Sequence, residues 1–157
     1  MLSIGALLLL SLSILRVNNG ILSSDSVLQD SKIGVLATSV ATSLIEEANR
    51  KMFDAVSENG AISKVNALTS PHALGPDGGE TPDTYNDFDD YNGYVKKDTI
   101  FDIDFLMACS VNYVEPTNVD GFKMKKTWHK KITVNITSSF ISDTLQFSSV
   151  YSYWFFR

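Results

Sequence analysis

From Leu2 to Leu15 the chain is almost unbroken aliphatic sequence, interrupted only by Ser3, Gly5, Ala6, Ser11 and Ser13, and its first charged side chain is Arg16. A helix over residues 1–17 would run roughly 26 Å, a little short of a hydrocarbon core about 30 Å thick. Asn18, Asn19 and Gly20 follow, three weak helix formers that predict a loosened or broken helix. From Ile21 the pattern becomes amphipathic. Ile33, Leu36, Val40, Leu44, Ala48, Met52 and Val56 recur at spacings of three and four, one face of a helix. Glu46 and Glu47 precede Arg50 and Lys51 by four residues, the favourable orientation for helix ion pairs. Glu58, Asn59 and Gly60 predict the helix stop.

The periodicity then changes. Residues 60–98 hold Pro71, Pro76, Pro82, the pair Gly78-Gly79 and an acidic run at Asp87, Asp89 and Asp90, the composition of a long irregular loop. From Thr99 the period is two. Phe101, Ile103, Phe105, Met107, Cys109, Val111 and Tyr113 alternate with polar positions, as one long strand or two with a bulge. Glu115 to Gly121 reads as turn. A second strand runs from about Thr127 to Thr137, with Trp128, Lys130, Ile132, Val134 and Ile136 on one face. A third runs from Thr144 to Phe155.

These patterns predict an α+β fold, a long N-terminal helix packed on a small antiparallel β-meander whose apolar face it covers. The expected divisions are an apolar stalk helix with its Asn-Asn-Gly break over 1–20, an amphipathic helix over 21–59, the acidic loop over 60–98 and the sheet over 99–157. The 157 residues, 44% hydrophobic, suffice for one domain with a core. Tyr153, Trp154, Phe155 and Phe156 are too many adjacent aromatics for one strand face, which points some of them at another subunit.

Charge narrows the function. A net charge of -5 and a pI near 4.9 speak against a nucleic-acid surface. Lys123, Lys125, Lys126, Lys130 and Lys131 cluster, and the expected role is a solvated strand edge that lysine guards against wrong pairing. Cys109 lies within an apolar run and reads as a small buried hydrophobe. Asp87, Asp89 and Asp90 are the candidate metal ligands, hard oxygen donors of the kind calcium takes. They miss the calcium-loop pattern, however, because Phe88 falls in the first ligand slot and no glutamate closes the loop. A solvated acidic turn is the favoured alternative. His72 and His129 lack a nucleophile or acid at recognisable spacing, and no phosphate loop appears, so no enzyme is expected. Asn135-Ile136-Thr137 has the form of a glycosylation sequon.

Three fates compete for the first segment: a cleaved signal, a membrane anchor, or the core of a polymer. A signal needs a basic start and a small-residue cleavage site, and an anchor needs basic or aromatic flanks at both ends. Only Arg16 qualifies as a flank. The polymer reading makes Met1, Leu2, Ile4, Leu7, Leu8, Leu9, Leu10, Leu12, Ile14 and Leu15 the filament core and Asn18, Asn19 and Gly20 the helix break.

An apolar N-terminal helix continuing into an amphipathic one, then a loop and an antiparallel sheet, resembles the type IV pilin and pseudopilin superfamily. The run DFDDYNGY at Asp87 to Tyr94, a strand ending VNYV, and KKITVNITS at Lys130 to Ser138 are similar to minor-pilin, prepilin-like proteins associated with MSHA pili. The resemblance implies a leader cut before Met1, methylation of the new amine, and homo-oligomeric assembly into an extracellular helical filament, from an inner-membrane precursor and with the help of a pilus assembly machinery. It implies no cofactor. Type IV pilins usually carry a glutamate at mature position five that answers a neighbour's N-terminal amine, and here that position is Gly5. The alternatives carried forward are a minor or tip pseudopilin and a membrane-anchored surface binding module, calcium-dependent if the acidic loop holds a metal.

Overall fold

The computed structural model of the chain describes Leu2 to Tyr153. It divides into two compact units, Met1–Leu36 and Ala37–Arg157. One helix, α1 (Leu2–Asn49), supplies the first unit and begins the second.

The predicted break at Asn18, Asn19 and Gly20 does not occur, because α1 is continuous through it. Three weak formers cost about 0.5 to 1 kcal/mol each, while propagation of an already formed helix adds a backbone hydrogen bond for every residue fixed. With the leucine-rich run of 7–15 already helical ahead of it, the ladder runs through. Ser11, Ser13 and Ser31 point their hydroxyls back at the carbonyls of Leu8, Leu9 and Val27, so these side chains meet their polar needs within the helix.

In the second unit the buried helix face is Ala37, Val40, Ala41, Leu44 and Ala48. Three of these five are alanines, so the face is narrow and carries little side-chain bulk. The helix ends at Asn49, ten residues before the expected stop, and Met52 and Val56 lie past it and exposed. A tertiary contact ends it. The Met52 N–H donates to the Asn86 carbonyl, the Met52 carbonyl accepts from the Phe88 N–H, and Lys51 Nζ reaches the Tyr85 carbonyl. Asp54 then caps a 3-10 helix over Ala55–Asn59, and Gly60, at φ 130, closes that element instead of α1.

The sheet has five strands where three were expected: β1 (Val95–Ile100), β2 (Ile103–Glu115), β3 (Asn118–Lys123), β4 (His129–Thr137) and β5 (Leu145–Ser152). All pairings are antiparallel, and the spatial order is β1-β2-β4-β5. Tyr113 pairs with Lys130 of β4 and with Lys123 of β3, so β3 takes the opposite edge of β2 from β4. Between β1 and β3 that edge is filled by residues 92–94. Gly93 N–H donates to the Cys109 carbonyl, Cys109 N–H to the Tyr94 carbonyl, and Val111 N–H to Asn92 Oδ1.

The alternation within β2 and β4 is as the residue pattern predicts. Phe105, Met107, Cys109, Val111 and Tyr113 face the core from β2, opposite Lys130, Ile132, Val134 and Ile136 of β4. Cys109 is buried, and burial followed by the Glu47 charge pushes its thiol up to about 11, which makes it a poor nucleophile. Tyr153 does not turn outward: it stacks on Trp128 at 5.4 Å, and its hydroxyl accepts from the Ile62 N–H. Trp154, Phe155 and Phe156 lie outside the described residues.

The β1–β2 hairpin turns on two residues, Phe101 and Asp102, both at positive φ (50° and 62°), between the paired Ile100 and Ile103. This turn type favours Asn-Gly, and a bulky aromatic is strained there. Phe101 is 83% exposed, so its ring gains nothing from the core to offset that strain. Phe101→Asn combined with Asp102→Gly is expected to raise stability by roughly 1 kcal/mol, read as a higher urea midpoint at unchanged slope for the full chain in detergent. A lowered midpoint would show that the ring is held by contacts of its own.

Candidate functional site

Two features stand out, one in each unit. The first is the surface of α1 within Met1–Leu36. Ile4, Leu7, Leu8, Leu9, Leu10, Leu12, Ile14 and Leu15 are each between 56% and 68% exposed. Met1 lies outside the described residues, as does the Leu2 side chain. The consecutive leucines at 7–10 point to every side of the cylinder, so no single contact face could cover them. Val17, Ile21, Leu22, Val27 and Leu28 extend the exposed set past the position of the expected break. Because α1 is unbroken, residues 2–24 form one helical stretch in which Arg16 is the only charge, roughly 34 Å long by helix rise. Among the described residues there is therefore one helix long and apolar enough to cross a membrane.

The second feature lies at the end of the sheet in the other unit. Lys130, expected on a solvated edge, is fully buried. Its position in β4 is an inward one, in step with Ile132, Val134 and Ile136, and the backbone register leaves the ammonium no route to water. Three groups receive it. Nζ donates to the Phe53 carbonyl at 2.7 Å, to Asp54 Oδ2 at 2.9 Å and to Asp89 Oδ1. Aromatic rings close over it, Phe53 at 4.6 Å and Tyr113 at 5.5 Å from ring centroid to Nζ.

Each carboxyl is held by its own local structure. Asp54 Oδ1 accepts from Val56 N–H and Thr69 Oγ1, and Oδ2 from Thr69 N–H. Tyr113 donates its hydroxyl to the Thr69 carbonyl at 2.8 Å and lies 3.5 Å from Asp54 Oδ2. Asp89 sits in a short 3-10 helix, Asp89–Tyr91. Asp87 Oδ1 accepts from the Asp89 and Asp90 N–H groups, and Asp90 Oδ2 accepts from those of Asn86 and Asp87. Asp87, Asp89 and Asp90 are thus not a solvated turn. They are buried, each no more than 3% exposed, and engaged with backbone amides and Lys130. Among the described residues no three His, Cys, Asp or Glu side chains are grouped so as to hold a metal ion.

The three acids differ in proton affinity. Burial alone would raise Asp54, but the Lys130 charge and the hydrogen bonds from Lys130 and Thr69 outweigh it and leave its carboxyl below the ordinary value. Burial raises Asp89, and Lys130 only partly offsets it. Asp87 is pushed up to about 8, by burial first and then by the charges of Asp89 and Asp90. Asp54 is thus the acid that Lys130 holds most firmly as a carboxylate, whereas Asp87 and Asp89 bind their protons more tightly than usual. Tyr113 is raised by burial and by the charges of Asp54 and Asp89, which keeps it a hydroxyl donor.

No protein-family model, curated protein or solved structure matches the chain. The two features must therefore be read on their own chemistry.

Truncating the lysine would strand Asp54 in a dry site. Lys130→Ala is expected to cost about 3 to 5 kcal/mol of unfolding free energy, against less than about 0.5 kcal/mol for the exposed Lys125→Ala; equal costs in denaturant titrations would remove the cluster from its structural role. Asp87 sets a pH dependence of definite sign. Between its ordinary 3.8 and its folded value of about 8 the folded chain keeps a proton that the unfolded chain has lost, so this group's contribution falls as pH climbs through that window and levels above it. Asp89 acts in the same direction, and Asp54 in the opposite one at the acidic end. Asp87→Asn, which keeps the acceptor for the Asp89 and Asp90 amides, should flatten the decline in melting temperature between pH 5 and pH 8. A slope as steep as the parent's would show that Asp87 is charged in the folded state.

Proposed function

We propose that this chain is the structural subunit of an extracellular filament of the type IV pilus kind, polymerising through the apolar surface of α1. The observation that carries this reading is the ring of exposed leucine and isoleucine from Ile4 to Leu15. A helix apolar on all sides requires apolar neighbours on all sides, and copies of itself satisfy that need in water. Each such side chain gains about 1.5 to 3 kcal/mol on leaving water. From a bilayer the gain is close to nil, since lipid tails are as apolar as leucine. The membrane is then the precursor state, and transfer into the polymer is work done by an assembly machinery. An α+β unit with a helix laid along an antiparallel sheet suits the outer part of such a polymer.

A second reading is favoured by the length of the stretch in which Arg16 is the only charge, which suffices for a single membrane crossing: a membrane-anchored module displaying the sheet unit. The two differ in what the cell surface sheds. Electron microscopy and mass spectrometry of sheared surface material should find filaments containing this chain, and Leu8→Glu with Leu12→Glu should abolish them while the chain is still made. Removal of residues 2–15 should yield a soluble monomer. Detergent-extracted monomers with no shed polymer, from cells making the unaltered chain, would favour the anchored module and overturn the filament.

A further inference from the structure

The Lys130 cluster is chemically more than a buried ion pair. An amine and a carboxyl lie in hydrogen-bond contact in a fully buried site, with a second carboxylate oxygen 2.9 Å from the same nitrogen and aromatic rings as walls. We infer that Lys130 and Asp89 condense to a side-chain amide, an intramolecular cross-link between β4 and the Asp89–Tyr91 turn, with Asp54 as the proton acceptor. The inference does not rest on filament assembly.

The reaction balances without any further reagent. Asp54 takes a proton from the Lys130 ammonium and frees its lone pair; Nζ attacks Cγ of the protonated Asp89 carboxyl; the Cγ–OH bond breaks as a proton passed through Asp54 joins the departing hydroxyl. The N–C bond forms, the C–O bond breaks and one water leaves. Of the three ammonium protons and the one carboxyl proton, two depart in the water, one stays on the amide nitrogen and one ends on Asp54. Nothing is oxidised or reduced.

Several features favour this over a permanent salt bridge. A dry aromatic pocket makes separated charge costly, so conversion of an ammonium and a carboxyl to a neutral amide and water removes that cost. Geometry assigns the roles: Asp54 is held in place by hydrogen bonds from Val56 and Thr69 and touches Nζ through Oδ2, the place of a proton acceptor, while Asp89, whose proton affinity burial raises, meets the same nitrogen as the electrophile. Asp54 is held by Val56 and Thr69 and its backbone position is fixed by the cap it makes, so it is placed to relay protons and not to move. Asp87 Oδ1 accepts from the Asp89 N–H and so fixes the backbone that carries the Asp89 carboxyl. Fixing the groups in contact removes the orientational cost that makes amide formation slow between free molecules. The bond would join two residues 41 apart in sequence and tie the acidic turn to the sheet covalently.

The test is mass spectrometry of the full chain, extracted in detergent, fully denatured and digested, so that any change at the N-terminus is read separately. The expected result is a branched fragment joining the Lys130 and Asp89 peptides, lighter than their sum by one water. Lys130→Arg and Asp89→Ala should each restore two linear fragments, and Asp54→Ala should do so although both bonding residues remain. Linear Lys130 and Asp89 peptides in the unaltered chain would overturn the cross-link. A branch from Lys130 to Asp54 would overturn the assignment of electrophile and base, and a branch that persists in Asp54→Ala would overturn the role of Asp54. Because the decisive reading is on the unaltered chain, a variant that fails to fold leaves the outcome intact.

Discussion

One buried ammonium organises the second unit. A charged lysine removed from water is costly unless every proton finds an acceptor, and Lys130 finds three, the Phe53 carbonyl, Asp54 and Asp89. Those acceptors lie in segments far apart in sequence, 76 and 41 residues from the lysine for the two acids. Meeting at one nitrogen pins the chain leaving α1, the acidic turn and β4 to a common point. The 3-10 helix after α1, the parallel bridge between Met52 and Asp87, and the aromatic packing of Phe53, Phe88 and Tyr151 are arranged around it.

The first unit poses the opposite problem. Its backbone is helical throughout the described residues, and Ser11, Ser13 and Ser31 turn their hydroxyls to preceding carbonyls of the same helix. Its apolar demands are not met within the helix. The leucine surface needs partners that a single chain does not supply, whereas the Lys130 site is closed and complete. The proposed filament and the proposed cross-link answer these two conditions separately: one supplies neighbours to an open surface, the other makes permanent a contact already made.

Much of the plan was legible from residue order alone. The aliphatic run from Leu2, the three-and-four spacing through Val40, Leu44 and Ala48, and the alternations from Phe101 to Tyr113 and from 130 to 136 each specify an element by period, and each element is present except that Phe101 falls in the β1–β2 turn and not in the strand. The exposed leucines follow from the absence of any polar stripe in the first turns. Even the inward position of Lys130 was implied by its phase with Ile132, Val134 and Ile136, a signal masked by the neighbouring lysines, which suggested a solvated edge.

What residue order did not contain was pairing at a distance. Asn18-Asn19-Gly20 is weak helix locally, but helix propagation across it outweighs propensity, and only the continuous α1 decides that. Met52 and Val56 keep the helical period, yet the Asn86 and Phe88 backbone groups capture Met52 and end the helix earlier. β3 uses residues typical of turns because β2 offers it a free edge. Asp87, Asp89 and Asp90 read as acids for water or a cation, and only the fold could supply the lysine and the backbone amides that bury them. Period and composition determine which faces are apolar, since they act between residues a few positions apart. Which charges are buried, and against what, depends on contacts across tens of residues, and those exist only once the sheet and the loop have closed on each other.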